Sequence, residues 1–120
     1  MAEKISLNNE GKNRSTALFD TFPIPYFLLT FDGKIRFVNE EGSSLLQKKK
    51  SEIISKNFDL FLSANSIPIF DCFLQSIASN RQKQTCKVEY KNFDGSYLTI
   101  TLQGSLSEEK DLLQLFVSES

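Results

Sequence analysis

Histidine and tryptophan are missing from this 120-residue chain, methionine occurs once and cysteine only twice. Without histidine there is no imidazole to act as general base, metal ligand, proximal haem ligand or phosphoryl acceptor. The two thiols, Cys72 and Cys86, fall in segments that otherwise read as core, and no cysteine or carboxylate cluster has metal-ligand spacing. Both therefore read as buried free thiols, and no metal site is expected. No run of about twenty apolar residues occurs, and the opening "MAEKISLNNEGKN" lacks the apolar stretch of a secretory leader. The expectation is a cytoplasmic domain that does not enter a membrane. An excess of one charge is also lacking: 14 Lys and Arg stand against 15 Asp and Glu, for a net charge of -1. Such a surface exerts no broad attraction on nucleic acid, so no nucleic-acid partner is expected.

What is present is a dense apolar complement. Hydrophobic residues make up 40% of the chain and include eleven Phe, while charged residues make up 24%, the composition of one globular domain with its own core. Residues 1–13 are polar with scattered apolar side chains and read as a flexible or interface segment. From Arg14 to Phe22, the apolar Leu18, Phe19 and Phe22 suggest a short amphipathic helix ended by "PIP" at Pro23–Pro25. "YFLLTF", Tyr26–Phe31, reads as a strand. "KIRFV", Lys34–Val38, alternates, placing Ile35 and Phe37 on one face and Lys34 and Arg36 on the other. Asp32-Gly33 between them signals a two-residue hairpin with a primed turn.

Asn39 stands between that strand and "EEGSSLLQ", where it suits an N-cap whose side-chain oxygen accepts from Glu41 or Gly42. Lys48–Lys50 then read as a solvated helix end. In "SEIISKNFDLFLSAN", Ser51 is the expected cap of a short turn, with Phe58, Leu60, Phe61 and Leu62 turned inward. Asn65 or Ser66 should cap a longer helix with Pro68 in its first turn. Its Phe70, Phe73, Leu74 and Ile77 form one stripe and leave Cys72 part-buried beside it. "TCKVEY" and "YLTITL" alternate around a second turn at Asp94-Gly95, "GSLSEEKD" reads as a loop, and "LLQLFV" as a last strand. The order is helix, two strands, short helices, three strands: an α+β domain with a five-stranded antiparallel sheet and helices on one face.

Taken in order, "FPIPYFLLTFDGKIRFVNEEGSSLL", "SEIISKN" and "FDGSYLTITL" resemble the PAS family of sensory domains over residues 14–118. Asn39 falls at the family's asparagine, and Ser55 stands where the family usually has glycine. The resemblance implies a sheet in spatial order 2-1-5-4-3 with helices wrapped around a small apolar cavity. It also implies a regulatory role in front of a histidine kinase, a cyclic-dinucleotide enzyme or a transcription regulator, with the output domain beyond residue 120 and a homodimer as the working state.

On that resemblance, Phe58, Phe61, Phe73, Cys86, Leu98 and Ile100 are the candidate ligand-binding residues, for a small apolar or aromatic ligand. Asn39, Asp32, Gly33, Asp94 and Gly95 are structural. No cofactor is named by the residues. The photoactive cysteine of flavin-binding relatives corresponds here to Phe58, which argues against cysteinyl-flavin chemistry, and histidine-ligated haem has no ligand. Tyr- or Cys-ligated haem and a non-covalent flavin with Gln75, Gln84 and Asn57 as contacts stay formally open. Glu40, Glu41 and Asp59 lie at ordinary helix starts and no nucleophile has a base, so the chain does not read as an enzyme. The alternative to a sensor is a ligand-free homodimerisation or protein-interaction module, for which Ile5, Leu7, Leu18 and Phe22 would supply the contact.

Overall fold

The computed structural model describes residues 20–92, 94–107 and 111–119. The expected segment 1–13 and most of the expected Arg14–Phe22 helix lie outside them. Five strands, β1 (Tyr26–Leu29), β2 (Ile35–Val38), β3 (Gln84–Lys91), β4 (Tyr97–Leu106) and β5 (Leu113–Glu119), form one sheet. Its order is β2-β1-β5-β4-β3, antiparallel at every contact. Between β2 and β3 run α1 (Glu40–Leu46), α2 (Lys50–Ile53), 3-10 turns at Phe58–Phe61 and Ala64–Ser66, and α3 (Ile67–Asn80). The core lies between this helical crossover and one face of the sheet.

Both Asp-Gly pairs make hairpins, but the first does not form the expected primed turn. Gly33 N–H donates to Thr30 O at 2.9 Å and Thr30 N–H to Lys34 O at 2.8 Å. Only Gly33 has positive φ, at +97°, while Asp32 does not. This is a three-residue loop, a type I turn followed by a glycine bulge. The second hairpin repeats the bonding, Gly95 N–H to Asn92 O at 3.0 Å and Asn92 N–H to Ser96 O at 2.8 Å, with Gly95 at φ +91°. Asp94 Oδ1 braces it by accepting from Ser96 N–H at 2.9 Å.

The first strand stops at Leu29, and β2 carries a bulge: Leu28 pairs with Phe37 but Leu29 pairs with Ile35, leaving Arg36 extra. An extra residue reverses the alternation. Phe37 therefore leaves the Ile35 face and packs on the outer one, edge-on to Tyr26 with centroids 6.0 Å apart. At the other end, β4 continues through Gly104 to Leu106, where a loop was expected. Gly104 pairs with Leu115 and Gln84, and it is glycine because a side chain there would collide with helix α3: a Cβ would sit 2.6 Å from Ile77 Cδ1 and 2.7 Å from Phe73 Cζ.

Helix α3 is the amphipathic helix its stripe predicts, with Phe70, Phe73, Leu74 and Ile77 all buried and Pro68 in the first turn; Ser66 stands at the N-cap position, but its side chain does not cap the helix and instead accepts from Glu89 N–H. Three expectations about the crossover fail. Lys49, not Ser51, opens α2, its N–H donating to Glu52 Oε1 at 3.0 Å. Leu60 is 65% exposed, because a 3-10 turn of this length inserts Phe58 and Leu62 and turns Leu60 outward. Cys72 is exposed on the outer side of α3, one position from the stripe. The lysine run is solvated at Lys48 and Lys49, whereas Lys50 Nζ pairs with Asp20 at 2.6 Å and Glu40 at 3.1 Å.

The crossover also protects both edges of the sheet, which would otherwise offer unpaired backbone groups to another strand. Along β2, Ile35 N–H donates to Lys56 O and Ser55 N–H to Ile35 O, each at 2.8 Å, and Phe58 N–H to Gly33 O at 2.9 Å. Along β3, Ser63 N–H donates to Glu89 O at 2.9 Å and Glu89 N–H to Ser66 Oγ at 2.8 Å. The first clip holds Ser55 at φ +75°, the conformation for which glycine is suited and a Cβ is not. Ser55→Gly is accordingly expected to stabilise the fold by about 0.5–1 kcal/mol, the relieved strain less the entropy glycine adds to the unfolded chain. A urea titration checks it; an unchanged or lower midpoint refutes the strain.

Candidate functional site

Phenylalanine rings run through the space where the resemblance places a cavity. Phe58, only 1% exposed, meets Phe27 of β1 edge-on, with centroids 5.0 Å apart and an interplanar angle of 81°. Its other side meets Phe70 at 5.1 Å, and Phe70 stacks on Phe73 at 6.2 Å. Phe73 then ends against the backbone of Gly104. Helix α3 is thus joined to the sheet by a chain of four rings, in the edge-on and stacked arrangements aromatic pairs favour.

The remaining candidates lie on the same inner face. Ile100 is fully buried opposite Val88, Leu98 is half-buried opposite Tyr90, and Cys86 is half-buried opposite Leu102. Phe61 packs partly buried at the edge of the cluster. Phe58 and Phe73 are therefore united through Phe70, while Phe61, Leu98 and Cys86 form the periphery. Gln75 and Asn57, offered as flavin contacts, are exposed, and Gln84 is half-buried at the end of β3. Among the described residues no group of three Cys, Asp or Glu side chains could hold a metal ion.

Two residues carry more of this region than their sequence context suggests. Tyr90, on the sheet's edge strand, reaches across to α1, its hydroxyl donating to Leu45 O at 2.8 Å. The available signal was a tyrosine on the inward face of a strand, since a buried phenol needs a partner. Phe27 is the ring on which Phe58 rests, concealed in a continuous apolar strand with no alternation to reveal its face.

Burial also sets the thiol and phenol chemistry. Desolvation pushes Cys86 up from 9.0 to about 11, so it is a neutral thiol at physiological pH and a poor nucleophile. Tyr26 on the outer face, packed on Phe116 at 5.0 Å, is pushed up from 10.0 to about 12 by the same cause. Both groups hold protons more tightly folded than unfolded. Stability should therefore be full below the unfolded values and fall as pH rises from about 9 through 11 for Cys86 and from about 10 through 12 for Tyr26. Thermal unfolding measured across that range checks the slope, and Cys86→Ser should remove its first part.

The sheet order, the two glycine-bulged hairpins and the asparagine between β2 and α1 form one recognisable set, and a family model described as the PAS fold matches residues 14–117. The chain belongs to the PAS family. No curated protein matches it. Among solved structures, it is similar to the PAS domain of an HTR-like protein from Haloarcula marismortui, at 20% identity and TM-score 0.77 over 100% of both chains. It is similar to a PAS domain from a two-component sensor histidine kinase, at 15% identity and TM-score 0.77, covering 94% of this chain and 99% of the other. A third is the PAS domain, in complex with ethanol, of a LuxR-family transcriptional regulator from Burkholderia thailandensis. It is 14% identical with TM-score 0.71, covering 86% and 94% of the two chains. Within the PAS fold, the ring chain occupies the space between α3 and the sheet. No helix among the described residues is long and apolar enough to cross a membrane.

Proposed function

We propose that this PAS domain is the sensory and regulatory unit of a signal-transduction protein, relaying a binding event to an output domain of the histidine kinase, cyclic-dinucleotide enzyme or transcription-regulator kind. The observation that carries the reading is the PAS match over residues 14–117. The kinase and LuxR-family structures with the same fold support the coupling to an output. The input in this reading is a small apolar or aromatic molecule held by Phe58, Phe61, Phe73, Cys86, Leu98 and Ile100, without catalysis. A ligand shifts such a domain only by binding its two conformations differently. Native mass spectrometry and a thermal-shift panel on the purified cytoplasmic protein test it: a bound or stabilising small molecule is expected, and none in either assay refutes small-molecule sensing.

A second reading is a ligand-free homodimerisation or interaction module. It is favoured by the rings of Phe27, Phe58, Phe70 and Phe73, which occupy each other's contact surfaces in the interior. It expects a dimer by light scattering that is lost on deleting residues 1–20; a monomer at working concentration counts against it.

A further inference from the structure

A groove of about 550 Å³ opens at the place where the chain both enters and leaves the sheet, between the Pro23–Pro25 segment, α1 and the end of β5. It is distinct from the interior that the four rings cross. Ile24, Leu45 and Val117 give it apolar walls, and Ile24 is 39% exposed. Each wall is pinned by a hydrogen bond from another element. Asn39 Nδ2 donates to Ile24 O at 2.9 Å, Val117 N–H to Pro25 O at 3.1 Å and Tyr90 Oη to Leu45 O at 2.8 Å. The groove is preformed, so an occupant meets little ordering cost.

Its charge is one-sided. Glu41 and Glu119 line it, and none of its described lining residues is Lys or Arg. Neighbouring Glu40 is neutralised by Lys50 at 3.1 Å, whereas Glu41 and Glu119 form no ion pair among the described residues. Two uncompensated carboxylates beside an apolar floor favour a cation attached to an apolar body. The chain's own residues 1–19 set Lys4, Lys12 and Arg14 against Glu3 and Glu10, and so bring one net positive side-chain charge for two carboxylates.

We propose that this groove docks a basic apolar segment of a partner protein, its aliphatic side chains on Ile24, Leu45 and Val117 and its Lys or Arg facing Glu41 and Glu119. This goes beyond the reading above, because it stands whether or not the interior admits a small ligand. Its consequence is an input that bears directly on β5 and, through Tyr90, on the edge strand of the sheet.

The test is an amide NMR titration of the full chain with two synthetic peptides, one alternating leucine with arginine and one alternating leucine with glutamate. The basic peptide is expected to shift the amides of Ile24, Leu45 and Val117. Its affinity should fall about tenfold or more in the E41Q/E119Q variant, while the acidic peptide leaves those amides unmoved. Both substitutions are at the surface, and an unchanged thermal midpoint shows that the variant is folded. No shift at the groove, equal shifts with both peptides, or undiminished affinity in E41Q/E119Q overturns the proposal. A small molecule found or not found in the interior leaves these outcomes unaffected.

Discussion

Asn39→Ala is expected to destabilise the domain by about 2–4 kcal/mol, well above the loss of an ordinary helix cap. Asn39 is fully buried, and its side chain serves three segments at once. Oδ1 accepts from Gly42 N–H at 2.8 Å, capping α1, and from Tyr26 N–H at 2.9 Å, at the start of β1. Nδ2 donates to Ile24 O at 2.9 Å. Alanine removes the cap and also leaves a buried strand N–H and a carbonyl without these partners, which is the more expensive loss. Asn39→Asp should fall between native and alanine. It retains the acceptor, and its charge suits a helix N-terminus, but it replaces the donor with an oxygen facing Ile24 O. Urea denaturation at constant m-value measures both. A loss under about 1 kcal/mol for alanine would show that the cap alone matters.

The second large effect belongs to Phe58→Ala, with an expected loss of about 3–5 kcal/mol. The ring is buried between Phe27 and Phe70, which are themselves packed, so the site cannot readily collapse around a methyl group. Against a total stability of about 5–15 kcal/mol for an ordinary domain, that is a severe change. It also bears on function. An apolar hollow stays dry and accepts a small apolar guest. Benzene should therefore raise the thermal midpoint of Phe58→Ala by more than it raises that of the native chain. An equal or smaller rise in the variant would falsify the idea that the Phe58 ring occupies that space. Should the variant not fold, Phe58→Leu gives a smaller hollow for the same comparison.

Local patterns predicted α3 well. Its buried stripe depends on spacing within one helix, and Phe70, Phe73, Leu74 and Ile77 are all buried. Positions whose fate depends on a second segment were less legible. The bulge at Arg36 arises from how β2 pairs with β1, and it turns Phe37 to the face opposite the one alternation implies. Leu60 and Cys72 were misjudged because each lies beside a true core position, and rotation by a single residue decides burial. Asn39 was legible as a cap through Gly42, but its bonds to Tyr26 and Ile24 join residues distant in the chain.

The candidate site divides in the same way. Phe73 and Ile100 were legible as inward-facing residues from their periodicity, Phe58 only as a member of an apolar run that also held the exposed Leu60, and all three are buried. Their arrangement into a ring chain depends on Phe27 and Phe70, and no spacing rule specifies how rings from three segments meet. The groove was invisible beforehand, since it is assembled from three segments far apart in the chain, at 23–25, 41–45 and 117–119.

The sequence by itself determined the order of elements along the chain and the absence of imidazole chemistry, because these follow from local periodicity between turn signals and from composition, while its resemblance to the PAS family implied the strand order that the sheet shows. Tertiary structure alone decided that aromatic rings pack through the interior, that Gly104 admits α3 onto the sheet, and that an acidic apolar groove forms beside the chain's entrance and exit. The physical reason is that periodicity selects the face a residue turns to its own element's neighbours, whereas packing and pockets arise from the close fit of several elements together.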